Sequence, residues 1–221
     1  MVGSTGQRVD CASGRCVTDT AQRLLDAVDA VIAEHGPSGV TLRRVGQQAG
    51  LSHTAAAHYY SDKPGLFTAY ITRAWSLVAD RVEAASTIPD DREALLAVAT
   101  SYATFALEQP SAFSVMSRLE LVNVDTPELW AARERGFLTL AALIDRARAN
   151  GWATAHETLD LIAITWGLVH GIVDLWTGGP LAAPYDGQEL TATLTRLLGE
   201  VLYCLDDPLT STHKTTPIVD H

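Results

Sequence analysis

Residues 155–177 restrict the fold more than any other stretch, because they have helical periodicity and are apolar on two faces. One face carries Leu159, Ile162, Trp166, Val169 and Val173, and the other carries Leu161, Ile164, Leu168, Ile172 and Leu175. A helix that is apolar nearly all round must be covered on both sides. Gly167 and Gly171 each cost about 1 kcal/mol of helix propensity relative to Ala, a cost that a closely approaching helix would offset. This stretch therefore predicts a covered helix that contributes to a subunit interface.

Helical spacing recurs along the rest of the sequence, and no convincing strand pattern is present. The first predicted helix opens at Thr18 or Asp19 and closes at Gly36-Pro37. Two short helices follow, at about 41–49 and 52–60. Longer ones are predicted at 63–85, 91–108, 110–122, 126–149, 155–177 and 187–205, between Pro and Gly signals. The predicted fold class is all-α, with about nine helices.

The predicted domains are an N-terminal helical head and a larger helical domain. The head is predicted to span 18–66 and the second domain 67–207, with disordered tails at 1–17 and 208–221. The formal net charge is −10, yet residues 1–75 carry seven Lys and Arg against six Asp and Glu. The acidity therefore belongs to the later residues, and the head remains compatible with a polyanionic partner.

Residues 41–60 have the pattern of a helix-turn-helix unit, whose second helix can enter a DNA major groove about 12 Å wide. Thr41 and Ser52 can cap the two helices, and Gly50 can supply a left-handed turn between them. The predicted clamp between the helices consists of Leu42, Val45, Ala49, Leu51, Ala56 and Tyr60. The outward positions of the second helix are then His53, Thr54, Ala55, Ala57 and His58. These side chains predict a surface for direct reading of bases.

The segment TLRRVGQQAGLSHTAAAHYYSDKPGLF at 41–67 resembles the N-terminal domain of TetR-family transcriptional regulators. The likeness lies in the Thr-opened helix, the AG[LV]S turn, the aromatic pair and the [SD]K-x-x-L[LF] exit, and it covers about 19–75. It implies an all-helical homodimer with a DNA-binding head and a ligand-sensing, dimerising C-terminal domain. The base-reading residues it implies, together with the outward positions above, are Arg43, His53, Thr54, Ala55 and His58, of which Arg43 can reach either a base or a phosphate. The implied phosphate contacts are Thr41, Tyr59 and Lys63. Ala57 departs from the Tyr that often occupies its position, and the pair His58-Tyr59 departs from the commoner basic-then-His pair.

The segment WGLVHG at 166–171 resembles the W-x-x-x-H-G signature of one C-terminal class in that family, whose effectors are varied. Candidate pocket residues are Phe105, Phe113, Met116, Trp130, Phe137, Trp166, His170 and Asp174. The alternative for Trp166 and His170 is plain core packing, and the same alternative stands for each of the other aromatic residues and for Met116. A helix with one face on the partner subunit and Trp166 on the other could couple a ligand to the separation of the two heads.

The stripe at 190–205 would complete the subunit interface, because one protomer of this size has difficulty covering both it and the preceding helix. The predicted interface residues are Leu168, Ile172, Leu175, Leu190, Leu194, Leu197, Val201 and Leu205.

Other chemistry finds little support in the sequence. Cys11, Cys16 and Cys204 form no CxxC motif, and no run of about 18 uncharged apolar residues is present, so a cytoplasmic protein without a membrane partner is expected. No metal, cofactor or catalytic motif is found, so no enzyme is expected. The remaining alternative is an all-helical carrier or enzyme without DNA binding, in which His170 and Asp174 share a cavity. The favoured prediction is a DNA-binding transcriptional repressor that a small, largely apolar effector releases from a palindromic operator.

Overall fold

Nine α-helices and two single turns of 3-10 helix make up the described part of the chain. The computed structural model describes residues 15–206, except for the side chains of residues 15–18 and of His53. Most of both predicted tails, including Cys11, lies outside the described residues. The helices are α1 Arg15–His35, α2 Leu42–Gln48, α3 His53–Tyr59, α4 Lys63–Ser86, α5 Asp91–Glu108, α6 Pro110–Met116, α7 Pro127–Ala149, α8 Thr158–Thr177 and α9 Leu190–Asp206. The described residues contain no strand, and the all-α prediction is confirmed.

The chain forms two compact units. Within the described residues, the N-terminal unit comprises α1 to α3, the start of α4 through Tyr70, and the segment Arg118–Asn123. The amide of Asn123 donates to Thr68 Oγ1 at 2.9 Å, which ties that later segment to α4. The C-terminal unit comprises the rest of α4 from Ile71 and helices α5 to α9. In it, α5 packs against α6, α7, α8 and α9, so α5 is the central helix of this unit.

Four helix boundaries differ by three residues or more from the sequence prediction, among them the starts of α8 at Thr158 instead of 155 and of α9 at Leu190 instead of 187. Helix α1 begins at Arg15, ahead of the capping residues expected at Thr18 or Asp19. The helix expected over 110–122 ends at Met116, because Arg118 leaves the helical region with ψ of 83° before a 3-10 turn over Leu119–Leu121.

Helix α8 buries one arc of its surface and leaves the other open. The buried side chains are Leu161, Ile162, Thr165, Val169, Ile172 and Val173. Leu159, Ile164 and Leu175 are exposed by 67%, 41% and 46%. The buried side chains come from both predicted apolar faces. Residues three and four positions apart share one side of a helix, and the side that packs against α5, α7 and α9 lies between the two predicted faces. By length and composition alone, α8 is also apolar enough to cross a membrane.

The predicted subunit interface needs a correction. Ile172, Leu190 and Leu194 are at most 8% exposed within the protomer. These three side chains fill the core of the C-terminal unit and cannot also contact a partner. The other five predicted interface residues, Leu168, Leu175, Leu197, Val201 and Leu205, are partly or fully exposed.

Candidate functional site

Helices α2 and α3 are joined by a tight turn whose ends are capped as the sequence predicts. Thr41 Oγ1 accepts a hydrogen bond from the amide of Arg44 at 3.2 Å, and Ser52 Oγ accepts one from the amide of Ala55 at 3.1 Å. Gly50 has φ of +69°, a conformation that side chains with a Cβ rarely adopt. The turn is therefore specified by local hydrogen bonds and one glycine.

The two helices cross closely at Gly46. A Cβ added to Gly46 would lie 3.2 Å from Ala56 Cβ, and Ala56 is 0% exposed, as is Val45. The other predicted clamp residues, Leu42, Ala49, Leu51 and Tyr60, are half-buried. Only a glycine allows this separation without displacing Ala56, so Gly46 sets the distance between α2 and α3.

The outer face of α3 is open. Thr54, Ala57 and His58 are exposed, and Tyr59 is half-buried with its ring edge-on to His58 at 5.7 Å between centroids. His53 is the first residue of α3, and its side chain lies outside the described part of the structure. Ala55 is half-buried. This short helix thus presents small and hydrogen-bonding side chains without a bulky obstruction.

The cations of the N-terminal unit divide into outward and inward groups. Arg43 is exposed, whereas Arg44 Nη1 donates to the carbonyl of Gly39 and Arg23 Nη2 donates to the carbonyl of Ala49 at 2.7 Å. Lys63 Nζ donates to the carbonyls of Pro37 and Ser38 at 3.0 and 3.3 Å, and partial burial lowers its pKa. Lys63 therefore holds the turn before α2.

A second candidate site is an apolar cavity of about 90 Å³ inside the C-terminal unit, which we call the C-terminal cavity. It is lined by residues of α4, α5, α7, α8 and α9. Its lining residues with a polar side-chain atom are Trp75, Tyr102, Arg133, Thr165 and Trp166. Among the described residues no Asp or Glu lines it, and the only formal charge that they bring to the wall is that of Arg133.

Of the predicted pocket residues, only Phe137 and Trp166 line this cavity. Phe105, Phe113 and Met116 are at most 6% exposed and belong to the core around α5 and α6. Trp130 is 54% exposed and meets the cavity only through Arg133, whose guanidinium carbon lies 5.5 Å from its ring centroid. Apolar character alone does not distinguish a core residue from a cavity wall, so the ligand site around these residues stays a prediction.

His170 and Asp174 lie outside the cavity wall, contrary to the prediction. His170 Nδ1 is 2.8 Å from the Tyr102 hydroxyl, and its ring lies 5.5 Å from that of Phe113. Asp174 is exposed. Burial raises the pKa of Tyr102 to about 12, the Asp174 carboxylate adds to the rise, and a hydrogen bond with Trp166 opposes it. Tyr102 is therefore neutral at physiological pH, and His170, which does not line the cavity, positions it in the cavity wall.

Trp75, Tyr102 and Arg133 line the cavity and were missed from the sequence. Arg133 could have been found, because it lies three residues after Trp130 and four before Phe137, on the same face of a helix. Nothing in the sequence placed α4 and α5 beside that face. The described residues contain no cluster of three or more His, Cys, Asp or Glu side chains able to hold a metal ion.

Comparison with known proteins identifies the family. Residues 24–70 match the family of bacterial regulatory proteins of the tetR type, and residues 95–198 match the tetracyclin repressor-like C-terminal domain. The HTH-type transcriptional repressor AcnR of Corynebacterium glutamicum is 38% identical over 58 residues, which are 26% of this chain and 31% of that repressor. The match thus spans about a third of that relative's length.

Two solved structures share the fold. A protein of unknown function from Rhodococcus sp. RHA1 has a TM-score of 0.74 at 19% identity, over 89% of this chain and 98% of its own. A TetR family transcription regulator from Marinobacter aquaeolei VT8 has a TM-score of 0.68 at 22% identity, over 86% and 97%. With both family matches and this fold, the chain belongs to the TetR family of transcriptional regulators.

Proposed function

We propose that this protein is a repressor that binds a palindromic DNA operator as a homodimer and is released by a small, largely apolar effector. The observation that carries the DNA-binding part is the open face of α3, held by the close crossing at Gly46. Thr54 and His58 would read base edges in the major groove, together with His53. Arg43 and Thr41 would contact the backbone from α2, and a cytoplasmic location follows from this role.

The test is to select bound sequences from a random duplex pool and then compare two adjacent arginine variants by mobility shift. Arg43→Gln should weaken binding to all sequences and reduce the salt slope by about one, because an exposed cation is lost from the phosphate contacts. Arg44→Gln is the control, because Arg44 already donates to Gly39 within the protomer. If Arg43→Gln leaves both affinity and salt slope unchanged, the proposed docking is wrong.

The homodimer is supported by the uncovered surfaces of α8 and α9. Leu175 is 46% exposed and Tyr203 is 65% exposed. A Cβ added to Gly167, Gly171 or Gly199 would meet no other atom within 4 Å in the described part of the protomer. These helical glycines therefore serve no packing within the protomer, and a partner helix that approaches closely would account for them.

A two-fold dimer would place two α3 helices in successive major grooves, so the operator half-sites should be about 34–36 Å apart or a little more. Sedimentation and the half-site spacing of the selected sequences test this jointly. A monomer bound to a single half-site would refute it.

The C-terminal cavity supports an effector site in the same unit that carries the uncovered surfaces. Helix α4 begins at Lys63 in the N-terminal unit and contributes Trp75, Val78 and Val82 to the cavity wall. An effector that displaces α4 would alter the α2–α3 pair, provided that it binds the DNA-incompetent arrangement more tightly, by about 1–3 kcal/mol for ordinary coupling.

A further inference from the structure

We infer that the effector is an apolar monocarboxylic acid, whose carboxylate is held by the Arg133 guanidinium and the Trp75 indole N–H. This inference rests on the proposed effector site and names the chemistry that the C-terminal cavity selects. It follows from an account of every polar side chain that lines the cavity.

Three of the five polar side chains already have partners inside the protein. Thr165 Oγ1 donates to the carbonyl of Leu161 at 2.6 Å. The Tyr102 hydroxyl is paired with His170 Nδ1 at 2.8 Å, and the Trp166 side chain acts on the same hydroxyl by lowering its pKa. These groups need nothing from a ligand.

The other two are donors whose capacity is unused. Trp75 is 8% exposed, and its Nε1 is buried without a hydrogen-bond partner. A buried N–H without an acceptor costs about 1–3 kcal/mol, so an acceptor brought by a ligand would recover that loss.

Arg133 is the second donor. Among the described residues it forms no ion pair with a carboxylate, although Arg135, Arg146 and Arg148 on the same helix all do. Its guanidinium carbon instead lies 5.7 Å from the Trp75 ring centroid and 5.5 Å from that of Trp130. The two side chains that carry the unused donors are thus neighbours in the cavity wall.

A site that offers donors, one of them cationic, and no free acceptor selects an anion and disfavours a cation. Two acceptor oxygens on one carbon match an Arg fork with an adjacent N–H, whereas an alcohol supplies one uncharged oxygen. Asp174 does not line the cavity and therefore offers a cationic ligand no carboxylate there.

The remaining wall residues determine the size and the polarity of the part of the ligand that is not the carboxylate. They are aliphatic and aromatic residues such as Val98, Leu140 and Leu202. A water-sized group needs about 10–15 Å³, so a cavity of about 90 Å³ has room for roughly six to nine groups of that size. The seven CH₂ and CH₃ groups of an unbranched eight-carbon acid, which extend from the carboxylate, fit both the volume and the apolar lining.

The test is calorimetric titration of the full-length protein, without DNA, with three probes of equal chain length: octanoate, 1-octanol and octylammonium. Octanoate should bind once per protomer and about tenfold or more tighter than either of the others, as expected for hydrogen bonds to a charged group. Arg133→Gln should remove that preference by weakening octanoate alone. Arg196→Gln, an exposed arginine of α9 outside the cavity, is the matched control and should keep the preference.

Two further variants keep the test informative if Arg133→Gln is unstable. Arg133→Lys preserves the charge and should retain part of the octanoate preference. Trp75→Phe preserves the ring but deletes the N–H, and it should weaken octanoate while leaving 1-octanol unchanged.

Equal affinity for octanoate and 1-octanol, or a preference that survives both Arg133→Gln and Trp75→Phe, would overturn the inference. Because these titrations contain no DNA, they are independent of operator binding. Failure of the selected duplex to bind would refute the proposed function while leaving the carboxylate preference in place.

Discussion

Substitutions at Gly46 test whether the close crossing of α2 and α3 organises the reading head. Gly46→Ala adds a Cβ 3.2 Å from Ala56 Cβ, so the neighbour must move by a few tenths of an ångström. Alanine also gains about 1 kcal/mol of helix propensity over glycine. The two effects oppose each other, and we expect the stability of Gly46→Ala to lie within about 1 kcal/mol of the parent.

Gly46→Val should behave differently. It adds two more methyl groups beside Ala56, which is fully buried, and near the backbone carbonyls of Leu51 and Ser52 at 3.6 and 3.5 Å from the Cβ position. Overpacking of this kind costs about 1–3 kcal/mol, and valine recovers only part of the propensity gain. The head should therefore be destabilised, and operator binding should fall with it.

Hydrogen exchange of the amides in His53–Tyr59, measured beside mobility shift, reads this local effect without assuming that the whole chain unfolds as one unit. Each 1.4 kcal/mol corresponds to about a tenfold loss of protection. Gln48→Val places the same side chain on an exposed position of α2 and should change protection by less than about twofold. If Gly46→Val protects α3 as well as the parent does, the crossing does not hold the two helices, and the argument fails.

Three other predictions address the core, the charge pairs and Lys63. Leu194→Ala should lower the unfolding free energy by about 2–5 kcal/mol while the dimer persists, because Leu194 is 0% exposed within the protomer. Leu175→Glu should instead shift the protein toward monomer in sedimentation. The opposite pattern would return Leu194 to the interface. Burial acts to raise the pKa of Asp91, but hydrogen bonds from Asn150 and Arg146 outweigh it, so the pKa is lowered. The stabilisation from Asp91 is therefore present above its ordinary pKa of 3.8, and it is lost as pH falls through the lower pKa of the folded state. Asp91→Asn should therefore flatten the acid limb of a stability-against-pH curve, and an unchanged limb would contradict this. Lys63→Ala should lower the DNA affinity for all sequences and also raise hydrogen exchange around Pro37–Gly39, because the Lys63 ammonium holds the carbonyls there. If DNA binding is lost while hydrogen exchange stays normal, Lys63 acts only as a phosphate contact.

The local features of the reading head could be predicted from the sequence because short-range physics specifies them. Thr41 and Ser52 satisfy amides three residues away, and Gly50 adopts a positive φ within the turn itself. Neither feature depends on a distant part of the chain. The all-helical fold followed for the same reason, since apolar residues recur at helical spacing in each segment.

Burial and the cavity wall were decided by tertiary packing. Leu194 and Leu197 lie on one apolar stripe, yet the first is fully buried and the second half-exposed, because the rotation of α9 against α5 and α8 selects between them. Trp75 and Arg133 are 58 positions apart in sequence and meet only because α4 and α7 both border the cavity. Periodicity identifies which residues can share a face of one helix, but it carries no information about which other helix that face will meet.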